Sequence, residues 1–297
     1  MHNEPFAGPD ALIRDGQPHA GNAEPVDRIG GPGEPMRPPR RIGAVNWIGL
    51  WTLYSKEIRR FLKVYTQTII APLVTTLLFL AIFTLALGRS VTTVAGVPFA
   101  QFLAPGLVMM AMVQNAFANT SSSIIISKIQ GNIVDVLMPP LSPGELAFGY
   151  VVAGATRGVA VGLFTTLAMR VFVPFGIHDI GFILFHAVAA SLMLSLLGSI
   201  GGIWADKFDH IAAVTNFLIM PMSFLSGTFY SIERLPGPWR MVAQFDPFFY
   251  MIDGFRYGFI GHADAPLLTG ILVMLGIDTA LWVLCYWMFR TGYKLKA

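Results

Sequence analysis

Charged residues and cysteines are scarce in this sequence. Lysine, arginine, aspartate and glutamate together make up 12% of the 297 residues, about half the share that is usual in a soluble domain. The single cysteine, Cys285, excludes an internal disulfide framework and any C-x-x-C metal or redox motif. Hydrophobic residues reach 54%. We therefore predict a protein of the lipid bilayer, and its basic residues do not indicate a nucleic-acid partner.

Motifs for ATP hydrolysis and metal chemistry are also absent from the sequence. A phosphate-binding loop G-x-x-x-x-G-K-[ST] requires a Gly-Lys dipeptide, and the sequence contains none. The six histidines form no H-E-x-x-H motif and no pair at i,i+4 spacing. We therefore expect no catalytic residue, no metal site and no cofactor bound by this chain.

The first part of the chain differs in composition from the rest. Residues 1–44 contain eight prolines and seven glycines, with too little apolar surface to offset the entropy of ordering. We predict that residues 1–44 form a disordered cytoplasmic tail. Residues 45–297 are then expected to form one membrane domain.

An amphipathic helix is predicted from Trp47 to Tyr65. At 100° per residue its aromatic side chains fall on one stripe, while Lys56, Arg59, Arg60 and Lys63 cluster on the other side. Aromatic residues opposite cationic residues are typical of a helix that lies flat among the headgroups of an anionic leaflet. We therefore expect membrane lipid to be one partner of this chain.

Six apolar segments follow, each of at least 20 residues, which is roughly the length needed to cross a 30 Å hydrocarbon core. The segments are Thr66–Gly88, Phe102–Ile126, Ala147–Phe172, Ile180–Ile203, Ile211–Tyr230 and Leu267–Phe289. They predict an all-α, polytopic membrane protein with six transmembrane helices. With both termini in the cytoplasm, 14 of the 20 lysines and arginines lie on the cytoplasmic side, as the positive-inside rule favours.

The stretch between the fifth and sixth spans, Ser231–Ala265, is interrupted by prolines and rich in aromatic residues. Such a stretch cannot cross the bilayer, and aromatic side chains prefer the membrane-water boundary. We predict a pair of short external or re-entrant helices here, with an ordinary external loop as the alternative.

Polar side chains are few within the predicted spans, and charge in hydrocarbon is costly unless it is paired or faces a wet cavity. Arg157 and Asp278 lie in different spans and can pair with each other. The residues predicted to line a path or to join helices are Gln114, Asn115, Asn119, Arg157, His186 and Asp278.

The loop between the second and third spans has the pattern of a short docking helix. Apolar residues fall on one side of Ser127–Met138 and polar residues elsewhere, and Pro139 and Pro140 end the helix abruptly. A rigid helix of this kind, projecting from the membrane, is suited to contact another protein.

Several short motifs occur together in this chain. They are Ser127–Pro140, Gly149–Tyr150, Arg157–Gly158, Phe224–Tyr230, Leu235–Pro236, Asp246–Pro247, Tyr250 and Gly254–Gly258. In combination they resemble the type-2 class of ABC exporter permeases, and in particular the inner-membrane permeases that accompany a separately encoded ATPase. The resemblance covers residues 45–297, and the tail before residue 45 is not part of the pattern.

The resemblance implies a permease subunit of an ATP-binding-cassette exporter in the bacterial inner membrane. It implies a second permease copy, two ATPase subunits that bind ATP and Mg, and a connecting helix and a coupling helix that contact the ATPase. The predicted coupling residues are Lys56, Glu57, Arg59, Arg60, Lys128, Gln130, Asn132 and Asp135. In the external helices we predict a gate formed by Tyr230, Trp239, Phe248, Tyr250 and Arg256.

Two other functions stay open from the sequence. An ion-gradient-driven secondary transporter is expected to show internal repeats and broken helices in matching places, and only one broken region is present. A membrane-embedded enzyme acting on lipid-linked substrates is expected to show converging polar groups, which the sequence does not display.

Overall fold

Helices account for almost all of the structure. The computed structural model describes residues 43–88, 91–174 and 176–295, so the predicted tail lies almost wholly outside the described residues. The α-helices in this part are α1 (Trp47–Lys63), α2 (Ala71–Leu87), α3 (Phe99–Ile129), α4 (Ile133–Leu137), α5 (Pro143–Phe172), α6 (Ile180–Trp204), α7 (Phe208–Val214), α8 (Met220–Leu225), α9 (Gly237–Phe245), α10 (Pro247–Ile260) and α11 (Leu267–Thr291).

Three short helical turns and one small hairpin complete the described part. A π-turn, Thr66–Ile70, runs directly into α2, and a second, Thr215–Ile219, joins α7 to α8. A 3₁₀ turn, Ile232–Arg234, precedes α9. Two-residue strands β1 (Thr93–Val94) and β2 (Val97–Pro98) pair antiparallel between α2 and α3.

Six helical segments in the described part are long and apolar enough to cross a membrane, which confirms the predicted fold class. They are Thr66–Ala86, Phe99–Ile129, Pro143–Phe172, Ile180–Trp204, Phe208–Leu225 and Leu267–Thr291. The predicted end of the fifth span at Tyr230 is wrong, because this helix stops at Leu225. Gly227 then adopts a left-handed conformation with φ of 77°, which reverses the chain.

Helix α3 forms the centre of the bundle, and small residues on its neighbours allow close packing. A Cβ atom at Gly198 of α6 would lie 2.5 Å from the Phe117 carbonyl oxygen of α3. On α5, a Cβ atom at Gly158 would lie 3.0 Å from the Met112 carbonyl oxygen. Helix backbones therefore approach each other directly, as is typical where no hydrophobic force drives association inside the bilayer.

This packing gives a specific stability prediction. We expect Gly198→Ala to lower the free energy of unfolding by about 2 kcal/mol, because the new methyl group must displace backbone on α3. Gly276→Ala on α11 is the matched control, since no atom lies within 4 Å of its added Cβ. Unfolding in detergent measures both variants, and equal stabilities would contradict the close α3–α6 contact.

Two helices lie between the fifth and sixth spans, which confirms that part of the fold prediction. Helix α9 exposes Trp239 and Phe245, whereas α10 is buried along most of its length against α6 and α3. The carboxylate of Asp253 on α10 accepts the backbone N–H groups of Asp264, at 2.8 Å, and Ala265, at 3.1 Å. These bonds fix the connection from α10 to α11.

Candidate functional site

The predicted docking helix lies at the end of the bundle where α3 ends and α5 begins. The prediction of one continuous helix over Ser127–Met138 is wrong. Helix α3 continues to Ile129, Gly131 turns the chain with φ of 75°, and the separate helix α4 covers only Ile133–Leu137. A glycine at this φ carries no steric penalty. The turn therefore results from the residue type at position 131.

Helix α4 is held by apolar residues and displays polar ones. Ile133 and Val136 are buried with residues of α1, α3 and α5, as the sequence pattern predicts. Gln130, Asn132 and Asp135 are exposed. Three of the predicted coupling residues are therefore accessible on one side of the molecule.

A groove of about 300 Å³ separates α4 from α1. Leu53, Val136 and Leu141 give it an apolar floor, and Lys56 and Asp135 supply one positive and one negative charge. Such a groove, apolar in the middle with opposite charges on its walls, is suited to receive a side chain or a helix end of another protein.

Hydrogen bonds join this loop to the beginning of α1. Ser142 and Glu145 form a reciprocal capping box at the first turn of α5. Glu145 also accepts the backbone N–H of Asn46, and the Asn46 side chain donates to the Pro140 carbonyl oxygen at 3.2 Å. The start of α1, the loop after α4 and the start of α5 are thus connected. The S-x-x-E spacing was visible in the sequence, although its link to Asn46 was not.

Lys128 does not project toward a partner, unlike the other predicted coupling residues of this loop. Its ammonium group donates to the carbonyl oxygens of Ile203, at 2.7 Å, and Ala205, at 2.6 Å, at the end of α6. Lys294 bonds the neighbouring Asp206 at 2.7 Å, which lowers the pKa of Asp206 and raises the pKa of Lys294. Cations at a helix C-terminus are electrostatically favoured, so Lys128 joins α3 to α6.

Two further predicted coupling residues, Glu57 and Arg60, face the interior. Glu57 is fully buried and accepts hydrogen bonds from Ser123 of α3, at 2.8 Å, and from Arg60, at 3.1 Å. Arg60 also donates to the carbonyl oxygen and the side-chain oxygen of Asn119, at 2.7 and 3.0 Å. Together with buried Phe61 of α1, these bonds fix α1 to α3.

Only Lys56 and Arg59 of the predicted α1 coupling residues are exposed. The helix therefore has three faces, not two. Trp47 and Trp51 are exposed on the aromatic face, Lys56 and Arg59 lie on the second face, and a third face containing Leu53 and Glu57 packs on the bundle.

The possible ion pair between Arg157 and Asp278 does not form among the described residues. Arg157 donates to the side-chain oxygen of Asn115 at 3.0 Å, and one carboxylate oxygen of Asp278 has no hydrogen-bond partner among the described residues. The two residues lie on different spans, α5 and α11. Gln114 lies beside a groove of about 230 Å³ between α2 and α3.

Three polar residues of α3 bind side chains of α1 and α5. Ser123, Asn119 and Asn115 follow each other at intervals of four residues, which places them on one face of α3. They bind Glu57, Arg60 and Arg157 respectively. A continuous polar strip therefore runs along α3 from the level of α1 toward the centre of the bundle.

The remaining predicted site residues do not converge. His186 is buried between α6 and α10, where it packs directly on Gly254. Of the predicted gate residues, Phe248 and Arg256 are buried in the bundle and Trp239 is exposed on α9. The hydroxyl group of Tyr230 donates to the Leu225 carbonyl oxygen at 2.9 Å, and Tyr250 is half-buried beside Phe249.

Comparison with known proteins gives a consistent set of matches. The family model described as "ABC-2 type transporter" matches residues 49–260. "Inner membrane transport permease YadH" of Escherichia coli (strain K12) is 36% identical over 251 residues, which are 84% of this chain and 98% of the relative. "Nodulation protein J" of Neorhizobium galegae is 25% identical over 241 residues, 78% of this chain and 88% of the relative. These matches extend across nearly the whole described region.

Proposed function

Because the chain belongs to the ABC-2 type transporter family, we propose that it is the membrane-spanning permease subunit of an ABC exporter in the bacterial inner membrane. The transporter contains two permease copies and two ATPase subunits. ATP and Mg bind to the ATPase subunits, and this chain supplies no catalytic residue. Both termini lie in the cytoplasm, on the same side as α4.

The observation that carries this proposal is the exposed polar surface built by α4 and α1. Gln130, Asn132 and Asp135 are exposed on α4 and the turn before it. On α1, the exposed Lys56 lines the same groove as Asp135, and the exposed Arg59 lies three residues further along the helix. We name these five residues the docking surface. The buried side chains of Ile133 and Val136 fix α4 to the bundle. A force applied to the docking surface by a partner therefore reaches the membrane helices.

Transmission from the docking surface to the membrane follows the hydrogen bonds of α1. Glu57 and Arg60 connect α1 to Ser123 and Asn119 of α3, and Lys128 connects α3 to the end of α6. ATP binding closes the ATPase subunits and displaces the docking surface. Because this surface binds its partner differently in the two states, the displacement changes the arrangement of α3 and α6.

The translocation path lies between the two permease copies in this proposal. The first, fifth and sixth spans have few residues buried within the chain, so their faces are available to a second copy. Gln114 contributes a polar side chain to the groove between α2 and α3. The polar strip along α3, which contains Asn115 and Asn119 and binds Arg157, lies next to this path.

Charge reversal tests the docking surface directly. We expect Asp135→Lys to reduce the recovery of the ATPase with the tagged permease at least about tenfold, because it places a like charge beside Lys56 and misaligns the partner's charges. Asp209→Lys is the matched control, since Asp209 is exposed at the same end of the bundle but outside the docking surface. Equal recovery from both variants would count against α4 as the docking element.

A further inference from the structure

Another cavity lies at the other end of the bundle, between α5, α6 and α10, and has a volume of about 240 Å³. Leu163 and Leu167 of α5, Leu184 of α6, and Phe255 and Phe259 of α10 contribute apolar walls. The three leucines are each more than half exposed in this chain, so the cavity opens toward the surrounding bilayer. It is separate from both the docking surface and the groove beside Gln114.

Two polar side chains of α5 line the same cavity. Thr166 and Arg170 are four residues apart and therefore lie on one face of α5, one turn apart. Arg170 is exposed, and among the described residues neither side chain has a hydrogen-bond or ion-pair partner. The carboxylate of Asp179, which precedes α6, accepts the backbone N–H groups of Gly181 and Phe182 at the start of that helix. Arg170 thus has no counter-ion in this part of the chain.

We propose that this cavity binds an anionic phospholipid of the adjacent leaflet. The acyl chain lies along the leucines and phenylalanines, because an apolar cavity excludes water and accepts apolar groups. The phosphate lies at Arg170, whose guanidinium binds phosphate through paired hydrogen bonds. The Thr166 hydroxyl donates to an oxygen of the headgroup. Charge complementarity selects an anionic lipid over a zwitterionic one.

Bound lipid also contacts the helix that closes this end of the bundle. Phe255 and Phe259 of α10 form one wall of the cavity, and Ile183 and Leu184 of α6 form another. A chain that fills the cavity packs against both helices at once. Lipid occupancy therefore stabilises the position of α10 on α6. This inference does not depend on the identity of the ATPase or of the transported substrate.

The test compares phosphatidylglycerol with phosphatidylcholine of identical acyl chains. Each is titrated into the delipidated, detergent-purified full chain, and binding is followed by native mass spectrometry. We expect phosphatidylglycerol to bind about fivefold more tightly, as is typical for one additional basic contact near a membrane surface. R170Q should remove this preference. Arg290→Gln, at an exposed arginine at the end of α11, should retain it.

A second variant tests the apolar part of the site. Leu184→Trp fills the cavity from α6 and should weaken the binding of both lipids, while thermal unfolding without lipid confirms that the variant is folded. Equal affinities of the two lipids for the unsubstituted chain would overturn the proposal, as would a phosphatidylglycerol preference that persists in R170Q. Equal affinities would mean that only non-selective lipid surrounds this surface. A preference that persists in R170Q would mean that basic residues other than Arg170 select the lipid.

Discussion

Replacement of Arg256 by alanine is expected to lower the free energy of unfolding by about 3–5 kcal/mol, because two hydrogen bonds from a buried charged group are lost. Arg256 is 2% exposed, and its guanidinium donates to the carbonyl oxygens of Phe102, at 3.2 Å, and Gly227, at 2.6 Å. The same group lies 3.8 Å from the centre of the Phe102 ring. It therefore joins α10 to α3 and to the turn after α8.

Unfolding of the purified chain in detergent measures this effect. Arg240→Ala is the matched control, because Arg240 is exposed on α9, and it should change stability by no more than about 0.5 kcal/mol. The stability of Arg256→Lys should lie between those of Arg256→Ala and the unsubstituted chain. An ammonium group keeps the charge but cannot reproduce the planar arrangement of N–H donors of a guanidinium group. If Arg256→Ala were as stable as Arg240→Ala, Arg256 would not hold α10 in place.

Replacement of Arg60 by alanine is expected to lower the free energy of unfolding by about 3 kcal/mol. This value is the lower end of the range for breaking a buried ion pair. The loss leaves the fully buried Glu57 carboxylate without its positive partner, although the Arg60 side chain itself is 31% exposed. The hydrogen bonds to Asn119 are lost as well. We expect α1 to separate from α3, so that ATPase binding no longer reaches the membrane helices.

The neighbouring Arg59 is an ideal control for this prediction. It is exposed on the same helix, so Arg59→Ala should have little effect on stability. Adding Glu57→Gln to Arg60→Ala should recover part of the loss, because the buried charge is removed together with its partner. Protease accessibility of α1, measured beside unfolding, separates local detachment from global instability. Similar values for the two arginine variants would contradict the proposed joint between α1 and α3.

The six spans could be predicted from the sequence because length and hydropathy act locally. The two helices between the fifth and sixth spans were predictable for the same reason, since proline and aromatic residues mark the broken region. The end of the fifth span was not predictable from hydropathy alone. Phe229 and Tyr230 are apolar enough to continue a helix, but the conformation of Gly227 ends it before them.

The roles of individual polar residues were harder to predict because they depend on contacts far apart in the chain. The angular pattern of α1 separated aromatic from basic residues, but it did not show that Glu57 faces α3. Lys128 has the sequence context of an exposed loop residue, and only the position of the end of α6 explains its hydrogen bonds. Arg157 and Asp278 are opposite charges in two spans, but the position of Asn115 on α3 gives Arg157 a different partner.

Isolation of the tagged permease from native membranes in mild detergent tests the proposal that this chain is coupled to a separate ATPase. Mass spectrometry and an ATPase assay of the purified complex identify the partner. We expect a P-loop ATPase at one copy per permease, lost from the Asp135→Lys variant and retained in Asp209→Lys. A homogeneous permease without an ATPase, transporting only when an ion gradient is imposed, would contradict it.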